Sequence, residues 1–289
     1  MTPLRKKMIE DLRLKGMAKN TEELYVFVAS LLARHFGRSP ADLDYSHVRE
    51  FLLDLRQRGR AHATIANYWC ALSFLFGVTL GRSDFAEHVP RPRRNPQPHR
   101  VPPTIEEIRL ILAQARSPFD RAFFQTCYGG GLRLNEALHL HIRDVDSVNA
   151  LLHIRNGKGG KIRAVHLAPE LLDALRAYWR EVRPTGVWLF PARTHNARPG
   201  VPARWADHPP NASTLQRHFR AAVRAAGLHR DVTLHDLRRA YATHLLERGA
   251  ADLRKIQVAL GHSEPNTTAI YVGVSVEVIR SIPSPLSFL

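Results

Sequence analysis

The sequence predicts a mainly α-helical protein with one small antiparallel β-hairpin, and three observations lead to this fold class. Apolar residues recur every three or four positions through most of the 289 residues, as they do in helices packed on a core. Glycine ends many of these stretches, which is typical of helix C-termini. By contrast, residues 150–154 and 162–167 alternate and are rich in Leu and β-branched side chains, with the Gly-rich turn NGKGGK between them.

The first part of the chain, residues 1–86, predicts a bundle of four helices. The expected helices are Pro3–Lys15, Thr21–Phe36, Ser46–Arg58 and Thr64–Leu80. In the fourth, apolar residues at helical spacing predict the buried face. Residues 87–103 follow with six prolines and no plausible helix, so they predict an extended linker rich in Pro and Arg.

The remaining chain, residues 104–289, predicts a second domain of the α+β kind, built around the hairpin. Thr104 and Glu107 have the spacing of a capping box at the start of its first helix. Asn135 is the expected N-cap of a short helix that follows three glycines. Two longer helices are predicted, at Pro169–Val182 and Ser213–Ala226.

The composition points to a polyanionic partner. The formal net charge is +16, and nucleic acid is the leading candidate for such a charge. Cys70 and Cys127 lie in apolar helical stretches and form neither a disulfide framework nor a CxxC metal pattern. No apolar run approaches the roughly 20 residues of a membrane span, and the charged N-terminus lacks the apolar stretch of a signal peptide. We therefore expect a reducing, cytoplasmic setting.

Four polar residues in the stretch 233–271 are placed for chemistry: His235, Arg238, His262 and Tyr271. His235 and Arg238 are three apart on a predicted helix, so both side chains are expected to face a single object. Because one of them is a guanidinium, that object should be anionic. His262 follows Gly261, the predicted end of the next helix.

The order H-x-x-R, then Leu-Gly-His, then a Tyr nine residues beyond that His resembles the tyrosine recombinase (phage integrase) family. The resemblance extends to Gly131-Leu132-Arg133 with Glu136, where the family places its first active-site Arg. It also includes Gly157-Lys158-Gly159, where the family places a Lys on a hairpin turn. The family's catalytic positions are thus present in the family's order across residues 104–271.

The resemblance implies a fold, a DNA partner and an assembly. Residues 1–86 would be a SAM-like core-binding domain that grips DNA opposite the catalytic domain, 104–289, so that the two form a C-shaped clamp. Four protomers would act as a homo-tetramer on two specific recombination sites in double-stranded DNA. The family's apolar C-terminal end packs on a neighbouring subunit, and packing on the chain's own domain is equally open. No cofactor and no metal ion are implied.

The implied reaction is phosphoryl transfer from DNA to Tyr271, which gives a 3′-phosphotyrosyl link, a free 5′ hydroxyl and then a Holliday junction. The implied catalytic set is Arg133, Lys158, His235, Arg238, His262 and Tyr271, with Glu136 in support. Guanidinium groups match phosphate geometry, and His235 is placed to take the phenol proton. Lys158 is the expected general acid, because a Lys can give up a proton whereas an Arg cannot.

Further basic residues are candidate DNA contacts, because their charge and spacing suit a phosphate backbone. They are Lys161 on the hairpin turn, Arg91, Arg93 and Arg94 in the linker, and Arg217, Arg220 and Arg224 along one side of a helix.

Two other functions remain open beside a recombinase that integrates or excises a mobile element. A type IB-like DNA topoisomerase uses much the same residues, although the compact layout of bundle, linker and catalytic domain favours recombination. A DNA-binding protein without catalysis is the alternative from another class, and the complete catalytic set argues against it. A zinc hydrolase is disfavoured, since His235 and His244 are nine residues apart and lie on opposite helix faces.

Overall fold

The protein forms two compact units, Met1–Arg100 and Val101–Leu289. The structure is a computed structural model that describes residues 1–93, 101–155, 162–193, 205–249, 253–261 and 282–289. Within these ranges, no helix is both long and apolar enough to cross a membrane. The finer division into residues 1–86, 87–103 and 104–289 stays a prediction.

The first unit is a helical bundle. Its helices are α1 (Pro3–Leu14), α2 (Lys19–Phe36), α3 (Tyr45–Gln57), α4 (His62–Phe74) and the short α5 (Phe85–His88). A π-helical turn, Leu75–Thr79, continues α4, so the predicted fourth helix is present with a changed pitch at its end. The apolar spacing noted in the sequence buries Ile65, Trp69 and Leu72 in the core of this unit.

The packing of the first unit continues past position 86. Helix α5 covers Glu87 and His88, where the sequence predicted no helix. Phe85 and Val89 are buried on either side of it, and the indole Nε1 of Trp69 donates a hydrogen bond to the Val89 carbonyl at 2.8 Å. Burial of these two apolar side chains outweighs the weak helix propensity of so short a segment.

The second unit contains seven helices in its described part. They are α6 (Ile105–Ala113), α7 (Pro118–Gly129), α8 (Leu134–Leu138), α9 (Pro169–Val182), α10 (Ala212–Ala225), α11 (Leu234–Glu247) and α12 (Leu253–Leu260). The predicted capping box of α6 is present, since the Glu107 amide donates to Thr104 and the Thr104 amide donates to Glu107. Helix α7 runs through the core, with Phe123, Phe124 and Tyr128 fully buried.

A three-stranded antiparallel sheet accompanies these helices. Its strands are β1 (Val145–Asp146), β2 (Leu151–Ile154) and β3 (Arg163–His166), in the order β1-β2-β3. Strands β2 and β3 are the predicted hairpin, with Ile154 opposite Arg163. The sequence did not predict β1, because two residues are too short to show an alternating pattern.

The described C-terminal residues, 282–289, pack on their own unit. Leu286 is buried in the core, and the Ser284 hydroxyl donates a hydrogen bond to the Gly129 carbonyl at 3.1 Å. Arg109 donates to the carbonyls of Phe288 and Leu289 at 3.2 and 2.7 Å. Of the two packing arrangements that the sequence left open, this structure has the one within the chain.

Gly131 provides a test of how tightly α11 packs on the turn after α7. Its φ is +59°, and a Cβ atom there would lie 2.7 Å from Cδ1 of Tyr241 on α11. Gly131→Ala should therefore lower the free energy of unfolding by about 2–4 kcal/mol, through left-handed strain and overpacking together. Gly227→Ala is the matched control, because φ is +76° and nothing lies within 4 Å of the added atom. Urea unfolding that gives equal losses for the two variants would contradict this packing.

Candidate active site

Arg133 lies between α7 and α8, directly before the first residue of α8. Helix α8 begins at Leu134 with Arg133 at the N-cap position, so the predicted N-cap, Asn135, is one of the helical residues instead. The reason is Glu136, whose Oε2 accepts the main-chain N–H of Arg133 at 2.8 Å and thereby satisfies an unpaired amide at the helix start. The Glu136 Oε1 also accepts a hydrogen bond from Nη1 of Arg133 at 2.7 Å.

Glu136 is the centre of a buried ionic cluster. Only 3% of the residue is exposed. The Nη1 and Nη2 atoms of Arg163 donate to its two carboxylate oxygens at 2.8 and 2.7 Å, and Nη1 of Arg238 lies 3.7 Å from Oε2. Burial alone would raise the pKa of this carboxyl, but hydrogen bonds and charge from Arg163, together with hydrogen bonds from Arg133, outweigh it and lower the pKa to about 2. Glu136 is therefore ionised throughout the physiological range.

Arg238, in the first turn of α11, is held by backbone carbonyls. It is 4% exposed, and its Nη1 and Nη2 donate to the carbonyls of Gly131, at 2.7 Å, and Leu260. Burial, followed by the charges of Arg133 and Arg163, lowers its pKa to about 10. A guanidinium has five N–H donors, so donors remain for an anion after these two bonds.

The cluster has an excess of positive charge. Three guanidinium groups, those of Arg133, Arg163 and Arg238, surround the single carboxylate of Glu136, which leaves a net charge of three minus one, or +2, on these four residues. Arg133 forms the open edge of the cluster. Its side chain is 30% exposed, whereas the side chains of Arg163 and Arg238 are each 5% exposed. The geometry therefore favours an anion that approaches from the side of Arg133.

His235 lies close enough to this cluster to be affected by its charges. It is exposed in the first turn of α11, so it and Arg238 share a turn but differ in burial. Partial burial, and then the charges of Arg239, Arg238 and Arg133, lower the pKa of its imidazole below the ordinary 6.5, against an opposing effect of Asp236. Because the imidazole is neutral near pH 7, it can accept a proton.

Four of the sequence-predicted site residues lie outside the described residues: Lys158, Lys161, His262 and Tyr271. Arg94 lies outside them as well. The structure does describe the residues that flank these positions. In the sequence, strand β3 begins at Arg163, five residues after Lys158, and α12 ends at Leu260, two residues before His262.

The predicted DNA contacts that the structure describes are in two places. In the first unit, the Arg91 guanidinium stacks over the Trp69 ring at 5.6 Å, and Arg93 lies close by. In the second, exposed arginines line the face of α10 that is opposite its buried apolar residues. These are Arg217, Arg220 and Arg224, and their role in DNA binding stays a prediction.

Sequence reasoning missed Arg163. A single Arg on a short strand is usually a surface residue, yet Arg163 is in phase with Val165, and both are buried. That alternation was the available signal, because a cation on the buried face of a strand requires a buried anion. In the described part of the chain, no group of three or more His, Cys, Asp and Glu residues could hold a metal ion.

Comparison with known families assigns the chain. The model of the phage integrase family matches residues 104–277, which is more than half of the sequence. The chain belongs to the phage integrase family. A second model, the N-terminal SAM-like domain of phage integrases, matches residues 4–83.

Relatives of this integrase-family chain extend over its whole length. A protein of Sinorhizobium fredii named as an integrase/recombinase, y4qK, is 36% identical over 293 residues, covering 100% of the chain and 90% of the relative. The tyrosine recombinase XerA of Pyrococcus horikoshii is 31% identical over 271 residues, covering 93% and 88%. The family membership predicted from the motif order is thereby confirmed.

Solved structures of integrases share the fold. A lambda integrase dimer bound to a COC′ core site matches with a TM-score of 0.71 at 18% identity, covering 91% of this chain and 95% of that one. A lambda integrase tetramer bound to a Holliday junction matches with a TM-score of 0.69 at 18% identity, covering 93% and 76%. These likenesses confirm the predicted fold class, a SAM-like helical domain followed by a mainly helical catalytic domain with a small antiparallel sheet.

The lowered pKa of Glu136 leads to a test of the cluster. Because the folded state lowers this pKa from 4.5 to about 2, the stabilisation is fully present above pH 4.5 and is lost as the pH falls toward 2. At pH 7, Glu136→Gln should lower the free energy of unfolding by roughly 3 kcal/mol. The difference in the free energy of unfolding between the wild type and Glu136→Gln should be smaller at pH 3, as measured by denaturant unfolding.

Glu10→Gln is the control for this test, because Glu10 pairs with Lys6 on the exposed surface. Surface ion pairs contribute little, so this variant should stay close to the wild type at both pH values. If Glu136→Gln lowers the free energy of unfolding equally at pH 7 and pH 3, the Glu136 charge does not stabilise the fold.

Proposed function

We propose that this chain is a site-specific DNA recombinase that breaks and rejoins DNA strands through a covalent bond between Tyr271 and a 3′ phosphate. The observation that carries the proposal is the excess positive charge of the Glu136 cluster, which is held by buried contacts and open to an anion at Arg133. A phosphodiester in its transition state is such an anion, because the oxygens around phosphorus gain negative charge.

Each proposed catalytic residue has a separate task. Arg133 and Arg238 bind the non-bridging oxygens of the scissile phosphate, as preorganised cations in a partly desolvated site. His235 accepts the proton of the Tyr271 hydroxyl, whose ordinary pKa near 10 otherwise keeps the phenol neutral. His262 donates a hydrogen bond to the phosphate, and Lys158 protonates the leaving 5′ oxygen.

The proposed reaction conserves the energy of the broken bond. Tyr271 Oη attacks phosphorus and the bond to the 5′ oxygen breaks, so a phosphotyrosyl bond replaces the bond to the 5′ oxygen while the 3′ ester bond stays intact. A 5′ hydroxyl from another strand can then attack the same phosphorus and release Tyr271. This second step forms the exchanged strands of a Holliday junction.

The proposed partners are double-stranded DNA with specific recombination sites and three further copies of the chain. Support comes from the net charge of +16 and from the similarity to a lambda integrase that was solved as a tetramer bound to a Holliday junction. Residues 1–86 and 104–289 would both bind DNA, joined by the linker 87–103 with its arginines. Cys70 and Cys127 are free thiols, and with DNA as the substrate they favour the cytoplasm as the place of action.

Covalent trapping tests the proposed nucleophile. The substrates are labelled duplexes taken from the DNA that flanks the coding sequence. A nick in each duplex lets the strand released by cleavage diffuse away, so the wild type should accumulate as a covalent complex. Tyr271→Phe should bind these duplexes with unchanged affinity and give no covalent complex, because only the nucleophilic oxygen is removed.

Tyr241→Phe is the control, since Tyr241 is buried against Gly131 and burial raises the pKa of its phenol. This variant should keep forming the covalent complex. A covalent complex from Tyr271→Phe would place the nucleophile elsewhere. Relaxation of supercoils by the wild type, without joining of two duplexes, would indicate a topoisomerase instead.

The lowered pKa of His235 predicts a pH profile for strand cleavage. The neutral imidazole is the form that accepts the phenol proton, so the rate should fall as the pH is lowered, with a midpoint below 6.5. Arg239→Gln removes one of the charges that lower this pKa, and it should move the midpoint of the acid limb up toward 6.5. Single-turnover cleavage rates between about pH 5 and pH 8 measure both midpoints.

An exposed arginine on another helix serves as the control for that profile. Arg180→Gln, on α9, should leave the midpoint where it is in the wild type. If Arg239→Gln changes the rate but not the midpoint, Arg239 acts on DNA and not on His235. A wild-type midpoint above 6.5 would contradict the assignment of His235 as the proton acceptor.

A further inference from the structure

Arg163 connects three segments of the proposed active site. It is the first residue of β3, and 5% of its side chain is exposed. Two of its nitrogens bind the two oxygens of Glu136, and its Nε donates to the Ala259 carbonyl at 3.0 Å. The guanidinium is thus shared between the start of α8 and the end of α12, while its own backbone belongs to the hairpin.

The end of α12 is built around this guanidinium. Ala259 and Leu260 carry two of the last carbonyls of the helix, which have no partner inside it, and Arg163 and Arg238 each take one of them. The following residue is Gly261, where a Cβ atom would lie 2.9 Å from Cδ of Arg163. A side chain at that position would therefore collide with the Arg163 side chain.

Arg163 also keeps Arg238 away from Glu136. Both carboxylate oxygens are occupied by Arg163 at hydrogen-bond distance, whereas the nearest Arg238 nitrogen lies 3.7 Å from Oε2. Without Arg163, the buried carboxylate would lose two charged hydrogen bonds, and Arg238 would be the nearest cation able to replace them. Arg238 would then leave the Gly131 and Leu260 carbonyls that hold it.

We propose that Arg163 is a positioning residue for strand cleavage, which saturates Glu136 and so keeps both Arg133 and Arg238 directed at the phosphate without itself touching DNA. The inference rests on the proposed strand-cleavage function. It distinguishes Arg163 from a phosphate ligand, because all three nitrogens of its guanidinium donate to Glu136 or Ala259. Arg238 is equally buried, but only two of its nitrogens donate to carbonyls of the described residues.

The test compares cleavage with binding. Arg163→Met should slow single-turnover cleavage at saturating protein by about 100-fold, as expected when a catalytic group is displaced by about 1 Å. The affinity for uncleaved DNA and its salt dependence, measured in a Tyr271→Phe background, should not change. Arg163→Lys keeps the charge but cannot bind both carboxylate oxygens, so it should be slowed as well; it serves as the folded variant if Arg163→Met is unstable by circular dichroism.

A second substitution supplies a readout that a merely structural role would not produce. Glu136→Gln added to Arg163→Met removes the charge that draws Arg238 inward, so the double variant should cleave faster than Arg163→Met alone. The free energy of unfolding is measured in parallel, because removing the unpaired buried carboxylate also relieves a structural cost. If Arg163 only stabilised the fold, the cleavage rate per folded protein would be that of the wild type in both Arg163→Met and the double variant.

Arg155→Met is the matched control, because Arg155 follows β2, the strand paired with β3, and binds the buried carboxylate of Asp144. It contacts no residue of the Glu136 cluster among those described, and its cleavage rate should stay near that of the wild type. Equal slowing by Arg155→Met would assign the effect to the hairpin as a whole and overturn the inference.

Two other results would overturn it. Arg163 would be a phosphate contact if Arg163→Met bound DNA more weakly and the slope of log affinity against log salt concentration became shallower by about one. A wild-type cleavage rate in Arg163→Met would leave it without a role. Both differ from failure of the proposed function, in which the wild type itself forms no covalent complex.

Discussion

The buried carboxylate of Glu136 is the constraint on which the rest of the site depends. An ionised carboxylate without solvent is costly unless charged hydrogen bonds replace the lost water, and here Arg133 and Arg163 provide four of them. These partners come from α8 and β3, and Arg238 approaches from α11. One acidic side chain therefore fixes the mutual position of three elements that are far apart in the sequence.

The arginines of this cluster have two different roles: one binds only protein acceptors, and two keep donors for an anion. Arg163 is enclosed and its donors are directed at protein acceptors, whereas Arg133 is partly exposed and Arg238 has donors left over after its two carbonyls. The surplus of positive charge is thus carried by Arg133 at the open edge and by the buried Arg238. Such preorganised charge is what a phosphoryl-transfer site requires, because it need not rearrange as negative charge develops.

Sequence reasoning predicted what local patterns determine and missed what distant contacts determine. Helix α9 and the β2–β3 hairpin follow from periodicity. The motif order predicted Arg133, His235 and Arg238 as catalytic residues, and that role stays a prediction. The start of α8 was misplaced, because the Glu136 side chain accepts the main-chain N–H of Arg133 and makes Arg133 the N-cap in place of Asn135. That side chain is bound in turn by the distant Arg163. Arg163 was missed because its partner lies 27 positions away, and no local pattern records that contact.

The most direct test of this account is a crystal structure of the Tyr271→Phe protein bound to its uncleaved DNA site. The account predicts that the guanidinium groups of Arg133 and Arg238 donate to non-bridging oxygens of one phosphate, while both oxygens of Glu136 remain bonded to Arg163. A structure in which Arg163 contacts the DNA, or in which Arg238 binds Glu136 and leaves the phosphate to other residues, would contradict it.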